Sequence, residues 1–492
     1  MSYAPPHRPQ VMTDNNKAPA IVWFRRDLRI ADNPALVAAA ERGTPILPLF
    51  ILDHRDLPGE ASAWWLHESL LCLSDALRKR GVSLILRKGR PEELVPALAA
   101  EVGAEAVFWN RCYEPHTIER DKKLKSSLAE AGLEVTSYAA SLLAEPWEIQ
   151  TKGGEPYKVF TPFWKALAAS GPFRAPLAPP RKLVRCEDLA SENLDDWSLQ
   201  PSAPDWASAF RECWTPGEKG AHERLHRFLE DAAHEYKARR DQPGVEGTSR
   251  LSPHLHWGEI SPRQIWAAVE AHRGDDPSAG KSLDSFLSEV AWRDFAYHLI
   301  YHWPSITEEN WKPGFDAFPW SDDEEAFRRW TAGMTGYPIV DAGMRELWQT
   351  GWMHNRVRMI AASFLLKDLL IHWKRGAAWF EDTLVDADLA VNRASWQWVA
   401  GSGADAAPYF RIFNPVLQGE KFDPEGSYVR RYLPELARLD GKYIHKPWEA
   451  PSAALEKAGV VLGETYPRPI VDHSEARKRA LSAYEEVKQA AD

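Results

Sequence analysis

The stretch IVWFRRDLR (residues 21–29) decides the fold of the N-terminal half, because its apolar run predicts a buried strand. Amphipathic segments then alternate with four more short apolar runs. Between the runs, residues 61–80 have helical spacing and residues 91–102 begin with a proline at a helix start. Five alternations of strand and helix predict a doubly wound parallel sheet, a Rossmann-like α/β domain. The predicted strands are 21–24, 46–52, 83–86, 106–109 and 135–138.

The segment after the first strand also bears on cofactor binding. It contains no Gly-x-Gly-x-x-Gly, so a dinucleotide site of the Rossmann kind is not indicated there. We therefore expect the main cofactor elsewhere in the chain.

Length and periodicity predict how the domains are arranged. At 492 residues the chain is too long for one core, since single cores stop growing at about 250 to 300 residues. Beyond Gly220 helical spacing replaces the strand pattern, so this half is predicted to be all-helical. The predicted helices are 222–240, 262–271, 285–301, 324–332, 340–350, 355–372 and 475–492. The predicted organisation is a disordered tail (1–18), the α/β domain (19–145), a proline-rich interdomain linker (146–217) and the helical domain (218–492).

Composition excludes some classes of protein. No run of about 18 apolar residues could cross a membrane, and the N-terminal residues lack the apolar core of a secretory signal. The four cysteines form no Cys-x-x-Cys pair, which argues against a zinc site and favours a reducing cytosol. A net charge of −10 argues against nucleic acid as a partner unless cations are clustered locally. The 23 tryptophans suggest a role beyond packing.

Three motifs could carry chemistry. The loop EGTSRLSP (246–253) could cradle phosphate oxygens, although an exposed turn with a helix cap would have the same composition. A helix beginning near Trp352 places Trp352, Asn355, Arg356 and Met359 on one face, as a binding site or a salt-bridged interface would. DADLAVN (386–392) offers two carboxylates that could bind a metal, cap helices or pair with arginines; without nearby His or Cys, metal binding is not expected.

These motifs together resemble the photolyase and cryptochrome family. The matching blocks are GTSRLS (247–252), WMHNRVRM (352–359), the segment 386–398 and YFRIFNP (409–415), in the family's order and spacing. The opening strand with DNPAL (32–36) is also similar to that family. The resemblance covers nearly the whole chain and implies an antenna-binding α/β domain followed by a helical FAD-binding domain.

The resemblance implies a bent FAD in the helical domain. The FAD phosphates would lie on the 248–252 loop, Arg358 would pair with Asp386 beside the flavin ring, and Asp388 would face its polar edge. Asn392 would lie opposite flavin N5, where a carboxylate would repel the reduced anion FADH−. The implied cofactor-binding residues are Tyr236, Thr248, Ser249, Arg250, Leu251, Ser252, Phe286, Asn355, Arg358, Asp386, Ala387, Asp388 and Asn392.

The implied activity is light-driven repair of cyclobutane pyrimidine dimers, with FADH− as electron donor and the dimer flipped out of the duplex. Trp292 and Trp398 would stack on the dimer, and Glu289 would hydrogen-bond its 5′ base. Arginines would meet the DNA phosphates and so answer the objection from net charge. The implied substrate-binding residues are Arg240, Glu289, Trp292, Arg293, Asn355, Arg356, Met359, Trp398 and Arg411.

Three tryptophans match the family's electron-transfer chain from flavin to surface: Trp396, Trp373 and Trp320. With Glu289 and Asn392 they complete the implied catalytic residues. The alternative for each indole is core packing.

Departures from the family pattern concern the antenna and subgroup. The segment 113–117 (YEPHT) lacks the Asn-Glu dipeptide of some folate-binding members, yet methenyltetrahydrofolate is still the expected antenna. The segment is closer to plant-like cryptochromes and their bacterial relatives, which suggests class III photolyases. Phe286 stands where many members have tryptophan.

The expected partner is UV-damaged DNA, and the expected state is a monomer in the bacterial cytosol or nucleoid, with neither membrane nor metal. Three rival functions remain: a cryptochrome photoreceptor, a (6-4) photolyase and a generic nucleotide-binding protein. A cryptochrome usually has a long C-terminal extension, and a (6-4) enzyme has histidines where Asn355 and Met359 stand.

Overall fold

A computed structural model describes residues 17–57, 59–187, 189–406 and 410–491. The strands are Ala20–Phe24 (β1), Pro45–Leu52 (β2), Ile85–Lys88 (β3), Ala106–Asn110 (β4), Glu134–Tyr138 (β5) and Val184–Arg185 (β6). They form a parallel sheet in the order β3-β2-β1-β4-β5, with β6 beside the start of β2. The predicted doubly wound α/β fold is confirmed. Residues 1–16 of the predicted tail lie outside the described residues.

Helices cover both faces of this sheet. They are Pro34–Glu41 (α1), Glu60–Arg78 (α2), Pro91–Glu101 (α3) and Pro115–Glu130 (α4). Every residue of β1, β2 and β4 is buried, which explains why their sequences are unbroken apolar runs instead of alternating patterns.

The segment predicted as a linker contains regular structure. Helix Phe160–Ala169 (α5) precedes β6 in the sequence, and helix Ser208–Cys213 (α6) follows it. Trp197, Phe210 and Trp214 from this segment are buried in the same core as α2. The segment therefore extends the α/β half as well as joining it to the helical half.

The C-terminal half is all-helical, as predicted. Among the described residues, no helix is both long and apolar enough to span a bilayer. The helices are Glu218–Asp231 (α7), Tyr236–Arg239 (α8), Ser252–His256 (α9), Pro262–Asp275 (α10), Gly280–His302 (α11), Glu324–Thr331 (α12), Pro338–Thr350 (α13), Asn355–Ser363 (α14), Trp373–Thr383 (α15), Leu389–Ala400 (α16), Pro415–Phe422 (α17), Ser427–Tyr432 (α18), Ser452–Ala458 (α19) and His473–Ala491 (α20).

Two predicted helices are interrupted in the structure. The predicted helix 222–240 is divided into α7 and α8 by a 3-10 turn at Ala233–Glu235. The predicted helix 355–372 ends as an α-helix at Ser363 and continues as a π-helical turn, Phe364–Asp368. In that turn the buried Lys367 ammonium donates to the Ala400 carbonyl (2.8 Å), a tertiary contact that periodicity could not reveal.

The start of α14 also differs from the prediction. Trp352 precedes this helix instead of lying on its face, because the His354 ring accepts a hydrogen bond from Arg356 N (3.2 Å) and caps the helix at Asn355.

A buried carboxylate joins the two halves of the molecule. Glu259 accepts hydrogen bonds from Trp65 Nε1 (3.0 Å) and Ser69 Oγ (2.7 Å) on α2, and from Gly217 N (2.7 Å). The His254 ring bonds the other oxygen of Glu259. These four bonds satisfy a carboxylate that is wholly removed from solvent and fix α9 against the α/β half.

Candidate functional site

A cavity of about 500 Å³ opens among the helices of the C-terminal half. Its wall is built by α8, by the loop before α9, by α11 and α14, and by α16 with the segment that leads into it. The predicted site residues on this wall are Tyr236, Arg240, Thr248, Ser249, Arg250, Leu251, Ser252, Phe286, Glu289, Trp292, Arg293, Asn355, Arg356, Arg358, Met359, Asp386, Asp388 and Trp398.

The hydroxyl-rich loop forms one end of the cavity. Ser252 Oγ accepts a hydrogen bond from Trp352 Nε1 (3.2 Å), and Ser249 Oγ accepts from Leu251 N (3.4 Å). Arg250 has a left-handed backbone (φ 51°), and its guanidinium lies over the Trp352 ring, 4.8 Å from the centroid. Hydroxyls and a guanidinium on one loop are suitable ligands for phosphate oxygens.

An arginine–carboxylate pair lies deeper in the wall. Arg358 Nη2 donates to both oxygens of Asp386, at 3.1 and 2.9 Å. Arg358 Nε donates to the Met353 carbonyl (2.7 Å), which orients the guanidinium. The pair that the family resemblance implied is therefore present in the structure.

Asp388 has two structural roles at the cavity. One oxygen accepts from Val391 N (3.1 Å) and caps α16, and the other accepts from the Tyr297 hydroxyl (2.8 Å). Burial and the Asp388 charge raise the pKa of Tyr297 well above its ordinary value, so the phenol remains a donor. From the sequence alone, helix capping was the alternative to a functional role. Asp388 in fact caps α16 and lines the cavity as well.

Acidic partners also hold two other arginines of the cavity wall, Arg240 and Arg356. The Arg240 guanidinium forms an ion pair with Glu289, and Arg356 pairs with Asp241 (2.9 Å). The Glu289 pair raises the pKa of Arg240 against the effect of burial. Both pairs are partly solvent-exposed, so the arginines could exchange these partners for phosphates.

Arg293 lines the cavity, and its guanidinium also contacts the first half of the chain. Its Nη1 donates to the Ser141 carbonyl (2.6 Å), and its Nε lies 3.7 Å from Asp388. The guanidinium also covers the Tyr297 ring at 4.8 Å. The prediction placed Arg293 beside DNA phosphates; in the free protein its guanidinium bonds the Ser141 carbonyl and faces Asp388.

Several predicted residues do not line the cavity. Asn392 is buried and donates its amide to the Ala377 carbonyl (3.0 Å), and Ala387 is buried in the core. Arg411 is exposed and covers the Phe413 ring at 4.8 Å. Tyr409 of the matching block lies outside the described residues.

The three tryptophans of the proposed chain lie on α15, on α16 and before α12. Trp396 and Trp373 are buried, and Trp320 is partly exposed. The His372 ring lies between Trp320 and Trp373, with centroids 5.0 and 5.6 Å away. Trp396 packs directly on Gly376, where an added Cβ would come within 2.1 Å of the indole.

Three of the five side chains in the segment predicted near the antenna, residues 113–117, are buried. Tyr113, Glu114 and Thr117 are buried; Tyr113 donates its hydroxyl to Glu145 (2.5 Å), and Glu114 pairs with Arg26 (2.8 Å). These side chains do not offer an open face to a folate ring.

Comparisons with known proteins cover both halves. The family model described as DNA photolyase matches residues 20–181, and the FAD binding domain of DNA photolyase matches residues 286–486. The deoxyribodipyrimidine photo-lyase of Agrobacterium fabrum is 55% identical, and the alignment covers 96% of this chain and 98% of that protein. The chain belongs to the photolyase/cryptochrome family. Its helical half is thus the FAD-binding domain of this photolyase family.

Other family members differ in similarity to this chain. The crystal structure of a bacterial class III photolyase from Agrobacterium tumefaciens is 54% identical with a TM-score of 0.95, covering 98% of this chain and all of that one. Cryptochrome-2 of Arabidopsis thaliana is 39% identical over 96% of this chain and 79% of that protein. The predicted membership of the photolyase family, near its class III members, is confirmed.

Sequence reasoning missed several contacts around this photolyase cavity. Tyr297 and Asp241 hold predicted residues, and Phe295 and Asp405 line the cavity itself. Tyr297 lies four residues after Arg293 on α11, so helical spacing could have placed the two together. Asp241 and Asp405 lie in irregular segments, where no periodicity signals a contact. Within residues 17–57, 59–187, 189–406 and 410–491, no cluster of three metal-ligating side chains occurs.

Proposed function

We propose that this chain is a light-driven repair enzyme for cyclobutane pyrimidine dimers in UV-damaged DNA. The observation that carries the proposal is a single cavity whose wall includes both the hydroxyl-rich loop with the Arg358–Asp386 pair and the two indoles Trp292 and Trp398. Relatives named deoxyribodipyrimidine photo-lyase support the same activity.

The cofactor-binding residues fit FAD by their chemistry. Thr248, Ser249 and Ser252 offer hydroxyls to the phosphates, and Arg250 adds a cation. Arg358, fixed by Asp386, offers directed N–H donors to the flavin ring. Held by these residues as FADH−, the cofactor would supply light-driven electron transfer to the dimer, which is the chemistry needed to split its two C–C bonds.

The dimer would be flipped into the cavity between Trp292 and Trp398. Stacking on each indole contributes about 1 to 3 kcal/mol and needs no particular base sequence. One oxygen of Glu289 holds Arg240, and the other can accept a hydrogen bond from the 5′ base. Asn355 and Met359 complete the wall on this side, and neither could act as the protonated histidine of a (6-4) photolyase.

Arg240, Arg356 and Arg411 are proposed to meet the DNA phosphates around the flipped dimer. Arg293 would reach a phosphate only after breaking its bond to Ser141, so we propose that it stays on the cofactor side. Asn392 remains proposed for the N5 side, and Trp396, Trp373 and Trp320 for reducing oxidised FAD.

The test is repair of a single cyclobutane dimer in an oligonucleotide. The reduced, flavin-containing protein should restore thymine absorbance under blue light, but neither in the dark nor with a (6-4) substrate. Replacing Trp292 with alanine should abolish most repair while the protein keeps its flavin. Light-exposed wild-type protein that leaves the cyclobutane dimer intact would refute the proposal.

Three further assignments are part of this proposal. The antenna is methenyltetrahydrofolate, held away from the buried side chains of residues 113–117; extraction and mass analysis of the second chromophore tests its identity. One chain builds the whole cavity, which supports a monomer, to be checked by light scattering. We place the enzyme in the bacterial cytosol at the nucleoid, where its substrate is found, and imaging of a fluorescent fusion tests this.

A further inference from the structure

A phenylalanine from the connecting segment stacks on the Trp292 indole. The Phe160 and Trp292 ring centroids are 3.7 Å apart, and their planes differ by 12°. Phe160 is the first residue of α5 and is only 8% exposed, whereas Trp292 lies on α11 and lines the cavity. Two elements far apart in the sequence therefore meet face to face behind the cavity wall.

Two contacts keep Phe160 in this position. Phe295 meets the edges of both rings at 5.8 Å, which locks the stacked pair from the side. Asp405 accepts a hydrogen bond from Phe160 N (3.1 Å), and Asp405 also lines the cavity. The start of α5 is thus held by the wall that it supports.

The stacked pair leaves one indole face available. Because Phe160 covers one side of Trp292, a base entering the cavity can stack only on the other side. An indole held on one face loses little side-chain freedom when a base covers its second face. A fixed indole therefore binds a flipped dimer more tightly than a mobile one would.

We propose that Phe160 is a positioning residue for lesion recognition. It holds Trp292 in the plane that the flipped dimer requires, so helix α5 is the outer layer of the recognition wall. The inference deepens the proposed function and rests on it. It concerns damaged DNA alone, because undamaged duplex does not place a base against Trp292.

The test compares matched variants of two phenylalanines on α5. Phe160→Leu removes the ring behind Trp292, and Phe163→Leu removes a buried ring that contacts Phe295 and His298 instead. The flavin-containing proteins are titrated with one oligonucleotide that carries a cyclobutane dimer and with the same oligonucleotide undamaged. Phe160→Leu should weaken binding of the damaged DNA by about threefold to tenfold, with undamaged DNA unaffected.

The controls separate positioning from general destabilisation. Phe163→Leu should keep the wild-type ratio of the two dissociation constants, and Phe160→Tyr, which keeps the ring, should restore it. If Phe160→Leu loses its flavin, Phe160→Met replaces it, because an unbranched side chain fills the space without a flat face.

A wild-type ratio in the ringless Phe160 variant would overturn the inference, and so would an equal loss in Phe163→Leu. If the wild-type protein itself does not distinguish damaged from undamaged DNA, the proposed function fails instead.

Discussion

Individual ion pairs decide which side chains are free to meet DNA. Glu289 neutralises Arg240 in the free protein, and the two residues are 49 positions apart in sequence. The sequence placed both at the lesion through family resemblance but could not show that they bind each other. The Arg358–Asp386 pair was predicted from that resemblance, whereas the contact between Arg293 and Ser141 depends on how α11 meets the first half.

The Glu289–Arg240 pair leads to a prediction about discrimination. Glu289→Gln removes the negative charge and leaves Arg240 free for phosphate, so undamaged DNA should bind about two- to fivefold more tightly at low salt. Preference for damaged DNA should fall, because the acceptor that we propose for the 5′ base loses its charge. Fluorescence anisotropy with both oligonucleotides measures the change.

Glu235→Gln provides the matched control. Glu235 pairs with Arg239 at 2.9 Å on the neighbouring, more exposed turn. This variant should bind both DNAs like the wild type. Unchanged affinity of Glu289→Gln for undamaged DNA would contradict the masking of Arg240.

Asn392 gives a second prediction at this scale. In Asn392→Asp, a carboxylate oxygen replaces the amide N–H group that donates to the Ala377 carbonyl. The new carboxylate would lie beside that of Glu381. The free energy of unfolding of the variant should be about 1 to 3 kcal/mol lower than that of the wild type. Less reduced flavin should accumulate under light. Photoreduction followed by absorbance and denaturant unfolding test the two effects separately. Photoreduction equal to that of the wild type would contradict the proposed position of Asn392 beside flavin N5.

Helices α15 and α16 touch at a glycine, which gives a prediction for an element. Gly376→Ala should be destabilising by about 1 to 3 kcal/mol, because the new methyl would overlap Trp396. Gly274 on α10 has open space around its Cβ position, so Gly274→Ala should stabilise by about 0.5 to 1 kcal/mol. Thermal unfolding compares the two; a stabilising Gly376→Ala would show that Trp396 can move aside.

Helix α11 holds the chain that leaves β5, and one of its carboxylates should make stability depend on pH. Asp294 accepts from Leu143 N (2.7 Å) while 2% exposed, and burial raises its pKa to about 7 despite the neighbouring Arg293. Between about pH 4 and pH 7 the unfolded carboxyl is ionised and the folded one is still protonated. The free energy of unfolding therefore falls as pH rises through this window and levels off above it.

Asp294→Asn removes this ionisation. Relative to the wild type, the variant should gain about 2 kcal/mol between about pH 5 and pH 7, measured by denaturant unfolding. Asp284→Asn, on the exposed side of the same helix, should show no such trend. A parallel pH profile for Asp294→Asn and the wild type would contradict a raised pKa.

Periodicity predicted the elements well where one face is buried and poorly where a tertiary contact ends a helix. Strands β1, β2 and β4 were found because each is an unbroken buried run, whereas β3 and β5 are only partly buried. The π-helical turn after Ser363 was missed, because it depends on Lys367 reaching the end of α16. The same applies to Trp352, which His354 excludes from α14.

The whole molecule is acidic, with a net charge of −10, and two of its three proposed phosphate-binding arginines already have acidic partners. Three phosphate contacts predict a shallow salt dependence, with log K falling about three units per tenfold rise in salt. Titration of undamaged duplex over about 50 to 200 mM salt measures this slope. A slope twice as steep would mean that further cations meet the DNA.

At this scale the sequence predicted two halves of different class but not how they are joined. Alternating and helical periodicities locate each half, whereas Glu259 and the bonds it accepts connect residues up to 194 positions apart. Such contacts leave no local pattern. The regular structure within 146–217 was missed for the same reason, because β6 spans two residues and depends on β2 for its pairing.

The docking of β6 beside β2 affects how chimeras between relatives should be cut. The chain returns to the first sheet at Val184 before it enters the helical half, and Glu218 still accepts hydrogen bonds from Ile30 N and Ala31 N, both at 3.0 Å. A crossover at the end of β5 would separate β6 from its own sheet and α5 from the strands that precede it. A fusion point just after Glu218, the first residue of α7, keeps β6, α5 and Glu218 together with the first sheet.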